Sequence, residues 1–266
     1  MRSLVDGQRA AGLPADDRGL LFGETVFETV AFRDRCAPLW DPHMERLARS
    51  AAWLGLEAPS ADAWRQDCQR LLPRHGRHVL RLTLSAGSGG SGYWPAESPS
   101  PRRVVCLREW PLRVETQRAS GLRLRRSSYP MPVDAPGQGH KHGNRLLQVR
   151  AARECADSGH DEAVLLDPQG HMVETISSNL LLLRGDRLLV HPAPAVAGVG
   201  LNWLRRLEPA LVQEEAVPYD ALGECSEVLV INSVAGIRPV VAIEQFRFSI
   251  GPICRRLQSL WDSQLI

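Results

Sequence analysis

Apolar residues in this chain never run far before a charge, a glycine or a proline interrupts them, and that segmentation limits the fold more than any other feature. The longest runs, such as LLLL at residues 180–183, fall far below the ~18 residues that a membrane span needs. No membrane partner is expected. Runs of that length suit short strands and the buried faces of helices, punctuated here by 22 glycines and 19 prolines. At 44% hydrophobic and 23% charged residues the composition is that of a globular chain, which argues against disorder, collagen-like repeats and coiled coil. A length of 266 residues predicts one large domain or two modest ones. Residues 1–10 lack the apolar core of a secretory signal, so the expected location is cytoplasmic.

Strand and helix signals alternate, which predicts a mixed α/β fold. Leu4 and Val5 before Asp6-Gly7 suggest an opening hairpin, and residues 23–32 carry a strand's β-branched and aromatic bias. A helix opens at Pro42-His43, keeps Met44, Leu47, Ala48, Ala51 and Leu54 at helical spacing, and ends at Gly55. Strands at 79–84 and 104–107 flank the Gly/Ser loop 87–92. Residues 111–121 read as an interdomain crossing, giving a first domain over 1–115 and a second over 122–266 that carries Lys141 at a loop-to-helix junction. In the second half, strands at 162–166 and 172–174 flank the turn Asp167-Pro168-Gln169-Gly170, and 180–183 pairs with 188–190 across Gly185-Asp186. A helix is expected over 199–211 and a strand over 227–231 with the polar end Asn232-Ser233.

Net charge is +2 and the arginine pairs are scattered, so nucleic acid is not an expected partner. Six cysteines at 36, 68, 106, 155, 225 and 254 form no C-x-x-C pair, which removes a disulfide framework and a zinc site; no metal is expected. The basic residues are more informative: of 32, Lys141 alone is lysine. An amine can lose its proton near neutral pH and attack a carbonyl, which a guanidinium cannot because it stays protonated. A leftover surface lysine is the alternative. Lys141, Glu174, Arg46 and the helix start at Val199 make sense together for a phosphorylated aldehyde with a basic ring nitrogen, and pyridoxal phosphate is such a ligand.

The strings DRGLLFGETVFET, HMERL, VLRLTLSAGSGGSGY, GHKHGNRLLQVRAA and DEAVLLDPQGHMVETISSNLLL resemble the class IV aminotransferase family, in that family's order and from Asp17 to about Val240. The resemblance implies a two-domain fold-type IV enzyme, D-amino-acid aminotransferase-like, with pyridoxal phosphate as cofactor and usually a homodimer. It matches Lys141 to the lysine that holds the cofactor, Glu174 to the acid on the pyridine nitrogen, Arg46 to the phosphate-binding arginine, Val199 and Gly200 to the helix start that caps the phosphate, and Ser233 to the second phosphate loop. Asn179 is expected to organise the loop of the same signature. Thr29 is implied as a second catalytic candidate and Tyr93 as a substrate-side residue, although a packed strand residue and a loop aromatic read nearly as well. Arg81 is a substrate candidate whose direction alternation does not decide.

The chain also departs from the pattern. Leu181 and His191 stand where an aromatic and a threonine are usual, GVGLNWLRR lacks the expected basic residue a few positions after Gly-Val, and Ala86 and Ser91 replace arginines seen in some members. Within the family, SAGSGGSGY and GHKHGNRL are similar to the lyases that convert 4-amino-4-deoxychorismate to 4-aminobenzoate and pyruvate. The alternatives are an aminotransferase for D-amino or branched-chain amino acids, and a catalytically silent binding protein.

Overall fold

Strands of the first half assemble into one antiparallel sheet. β1 (Arg2–Val5) and β2 (Gln8–Arg9) form the opening hairpin around Asp6 and Gly7, both at positive φ as the turn requires. α1 (Arg18–Phe22), β3 (Thr25–Arg33), α2 (Trp40–Trp53), α3 (Ala61–Leu71), β4 (Arg77–Ser85) and β5 (Arg102–Arg108) follow, and the sheet order β2-β1-β5-β4-β3 leaves β3 at an edge. α2 begins at Trp40, ahead of the expected Pro42, because a proline is tolerated within a first turn whose N–H groups have no helical acceptor. Val26, Val30 and Phe32 of β3, Leu80, Leu82 and Leu84 of β4, and Leu47, Ala51, Trp64 and Cys68 of the two helices make one core. Alternation therefore puts Phe27 and Thr29 on the other face of the sheet.

The computed structural model describes residues 2–9, 12–194 and 196–265, and the chain divides into two compact units. The first contains the described residues up to Trp110 together with His140–Asn144. Lys141, expected in the second domain, therefore belongs to the first unit. The physical reason is the free edge of β3, whose backbone groups need partners. The Phe27 amide donates to the Lys141 carbonyl at 2.9 Å, the Gly143 amide donates to the Thr25 carbonyl at 2.8 Å, and His142 bridges Val26. Gly143 permits this approach, since a Cβ there would overlap the Thr25 hydroxyl.

Residues from Pro111 to Gly139 and from Arg145 onward form the second unit. The expected crossing at 111–121 includes α4 (Val114–Ser120), followed by β6 (Leu122–Arg126), α5 (Leu146–Ser158), β7 (Glu162–Leu166), β8 (Met172–Thr175), β9 (Asn179–Arg184) and β10 (Arg187–Val190). Next come α6 (Val199–Leu207), β11 (Val212–Glu214), a 3-10 turn (Tyr219–Glu224), β12 (Glu227–Asn232), β13 (Gly236–Ile243), β14 (Phe246–Arg247) and α7 (Pro252–Leu265). α6 ends at Leu207 rather than at 211 because Pro209 disfavours helical backbone at Glu208. The strand order is β11-β10-β9-β12-β13-β6-β7-β8, and β8 also pairs with β9 through Glu174 and Asn179. That contact closes six strands into a barrel-like ring, which removes their open edges. Among the described residues no helix is long and apolar enough to cross a membrane.

Candidate active site

In the first unit the expected residues gather on β3 and its neighbours. Lys141 follows the strand edge, and its side chain lies on the face of Phe27, with Nζ 4.6 Å from that ring's centroid. Arg81 of β4 reaches the same ring, its Cζ 3.7 Å from the centroid, and its backbone is paired directly with Thr29. Arg81 therefore points onto the sheet face that Lys141 occupies. His140 stacks on Trp53 with centroids 4.9 Å apart and planes at 14°, which steadies the residue before the lysine.

Arg46 is on the opposite, helix-covered face, and it is buried. Its Nε donates to Glu28 Oε1 at 2.7 Å and its Nη2 to Oε2 at 2.6 Å, a bidentate pair that fixes the guanidinium plane. His43 Nδ1 contacts the same carboxylate at 2.7 Å. Burial alone would push the Glu28 carboxyl up, but the charges of Arg46 and His43 and hydrogen bonds from both bring it down to about 2. Burial lowers His43 below the ordinary imidazole range, outweighing Glu28. Alternation along β3 carries a signal for this trio: Glu28 occupies the apolar phase between Val26 and Val30, where an acid needs buried partners.

Tyr93 is 88% exposed on the Gly-rich loop and packs against Phe22 with ring centroids 5.4 Å apart. Arg18 holds that loop by donating from Nη1 to the carbonyls of Gly92 and Trp94 at 3.0 and 3.1 Å, while Nε is 2.6 Å from Glu24.

In the second unit, barrel closure brings the remaining candidates together. Glu174 and Asn179 are the closing pair, and both are buried. Glu174 Oε2 accepts from the Val196 amide at 3.3 Å, and Asn179 Nδ2 donates to the Val196 carbonyl at 3.1 Å. Both side chains thus grip the segment that enters α6. Gly198, the N-cap, lies so close to Asn179 that a Cβ would overlap its amide oxygen, and no side chain caps the helix. The first-turn amides of Val199 and Gly200 have no acceptor within the helix, the usual preparation for an anion. α6 packs on β12, with Gly200 against Ile231 and the backbone of Asn232. Asn232 Oδ1 accepts from the amides of Val234 and Ala235 at 3.0 and 2.8 Å, which shapes the turn that carries Ser233. Buried Arg238 braces this end by donating from Nη2 to Glu162 at 3.0 Å and to the Ser178 hydroxyl at 2.9 Å.

These groups are of the kinds pyridoxal phosphate requires: an amine for the aldehyde, a buried carboxylate for the ring nitrogen, and helix amides, a hydroxyl and a guanidinium for the phosphate. Other nucleophiles are poor candidates. The six cysteines are free thiols, and burial pushes Cys68 and Cys254 up to about 12. No metal-binding group is found among the described residues.

The family model described as amino-transferase class IV matches residues 25–243. A crystal structure of 4-amino-4-deoxychorismate lyase from Pseudomonas aeruginosa superposes with a TM-score of 0.90 at 32% identity, covering 98% of both chains. The aminodeoxychorismate lyase of Vibrio harveyi is 26% identical, covering 96% of this chain and 97% of that protein. The D-alanine aminotransferase of Bacillus licheniformis is 22% identical, covering 94% of this chain and 91% of that protein. The fold, the sole amine and these likenesses lead to one assignment: the chain belongs to the class IV aminotransferase family of pyridoxal-phosphate-dependent enzymes.

Proposed function

We propose that this enzyme is a lyase that converts 4-amino-4-deoxychorismate to 4-aminobenzoate and pyruvate. The observation that carries the reading is the likeness to the Pseudomonas aeruginosa lyase, 32% identical over 98% of both chains. Bound pyridoxal phosphate supplies an aldehyde that captures an amine and a ring that takes up an electron pair. Lys141 would hold the cofactor through its aldehyde, and the lysine amine would be the base that takes the proton from the substrate's C4. The C3–O bond breaks, and the departing enolpyruvyl group gains a proton to become pyruvate. All atoms of the substrate are recovered in the two products, and aromatisation drives the step.

Glu174 keeps a proton on the pyridine nitrogen. Arg46, Ser233 and the amides of Val199 and Gly200 hold the phosphate, Asn179 holds their loop, and Thr29 faces the substrate beside Arg81. An aminotransferase is the second reading, favoured by the likeness to the Bacillus licheniformis enzyme. The deciding assay is pyruvate release from aminodeoxychorismate with no keto acid added. Release without an acceptor supports the lyase; turnover that needs an acceptor supports the aminotransferase. The same reading carries a homodimer, checked by sedimentation equilibrium, and a cytoplasmic location, checked by cell fractionation.

A further inference from the structure

Lys141 is flanked in the chain by two imidazoles, and both meet the same side chain. His140 stacks on Trp53 with ring centroids 4.9 Å apart, and His142 lies tilted against the same indole with centroids 6.1 Å apart. The segment is extended, since the Lys141 carbonyl and the Gly143 amide pair with β3 and His142 bridges Val26. In extended backbone successive side chains point to opposite sides, so a hold on residues 140 and 142 directs residue 141 away from α2, to the face where Nζ lies over Phe27. Trp53 ends α2, and Arg46, Ser50 and Trp53 are spaced i, i+4 and i+7, one stripe of that helix. Ser50 joins the contact, with its hydroxyl oxygen 3.4 Å from His140 Nδ1. One helix stripe therefore carries both the guanidinium read as the phosphate ligand and the ring that fixes the direction of the amine.

We propose that Trp53 is a positioning residue that directs Lys141 through the two flanking imidazoles, so that α2 sets the amine and the Arg46 guanidinium in one fixed relation. The proposal rests on the reading of Lys141 as the residue that holds the cofactor, and it deepens that reading by naming what aims the amine.

The test compares pyridoxal phosphate with pyridoxine phosphate, by calorimetry on the full chain freed of cofactor. Pyridoxine phosphate keeps the ring and the phosphate but carries an alcohol in place of the aldehyde, so only pyridoxal phosphate can condense with the amine and release water. Trp53 is 43% exposed, so Trp53→Leu leaves the core closed. It should weaken pyridoxal phosphate about three- to tenfold, the worth of an aromatic pair, and leave pyridoxine phosphate within about twofold. Trp53→Phe, which keeps a ring to stack, should recover most of the loss. His140→Ala removes the stack from its other side, should reproduce the loss, and serves as the variant if the leucine form does not fold. Arg46→Gln, as the control, should weaken both ligands. Equal weakening of both ligands by Trp53→Leu would assign Trp53 to the scaffold and overturn the proposal, as would unchanged affinities or a phenylalanine form as weak as the leucine form. Failure of the Lys141 reading shows separately, as a wild type that binds the two ligands alike, and the proposal then falls with it.

Discussion

Replacing Glu28 with glutamine tests whether the buried Arg46 is held by charge or merely by shape. The side chain of Glu28 is fully buried, and glutamine keeps its size while removing the negative charge beside a guanidinium. A folded pKa of about 2 against the ordinary 4.5 converts, at roughly 1.4 kcal/mol per pH unit, to about 3 kcal/mol of stability at pH 7. That lies within the ~3–5 kcal/mol expected on breaking a buried pair by removing one partner. Because the folded value is depressed, the contribution is present above about 4.5 and drains away as the pH falls through the folded value. At pH 3 less than half of it should remain. The assay is urea unfolding of wild type and Glu28→Gln at pH 7, 5, 4 and 3, followed by circular dichroism. The account expects a large gap at pH 7 that narrows below pH 4.5. Equal stability at pH 7, or a gap that does not change with pH, would refute the electrostatic argument. Cofactor affinity should fall with the variant too, since Arg46 loses the carboxylate that orients it.

Gly198→Ala places a methyl on the Asn179 amide and must shift either the barrel closure or the α6 start; we expect a loss of about 1–3 kcal/mol in thermal unfolding and weaker cofactor binding by titration. Glu227, buried on β12, accepts from the amides of Ile253 and Cys254 at the start of α7, so Glu227→Gln should cost about 1 kcal/mol in urea unfolding.

Where periodicity is strong and partners are local, the sequence is readable. The β3 and β4 strands, the hairpin at Asp6-Gly7 and the meander through Asp167–Gly170 and Gly185 follow from alternation and turn chemistry. α3 does not, because its buried apolar residues Trp64, Cys68 and Leu71 are spaced among charges, and its signal is the Ser60 cap that accepts from the Ala63 amide. Non-local pairing is harder still. Nothing near Lys141 in the chain announces that its backbone will extend the edge of β3, more than a hundred residues away, nor that Glu174 and Asn179 will close a ring. The amine is identifiable because it is the only lysine, whereas the Glu28 trio spans a strand and a helix: the phase of Glu28 on β3 marks it as buried, but nothing local names Arg46 and His43 as its partners.

One side-chain amine carries the cofactor in this assignment, and borohydride reduction of the holoenzyme followed by peptide mass spectrometry identifies it. The reduced cofactor's mass should appear on the peptide containing Lys141 and vanish in Lys141→Arg. A label on another site, or no label in a protein that holds the cofactor, would contradict the account.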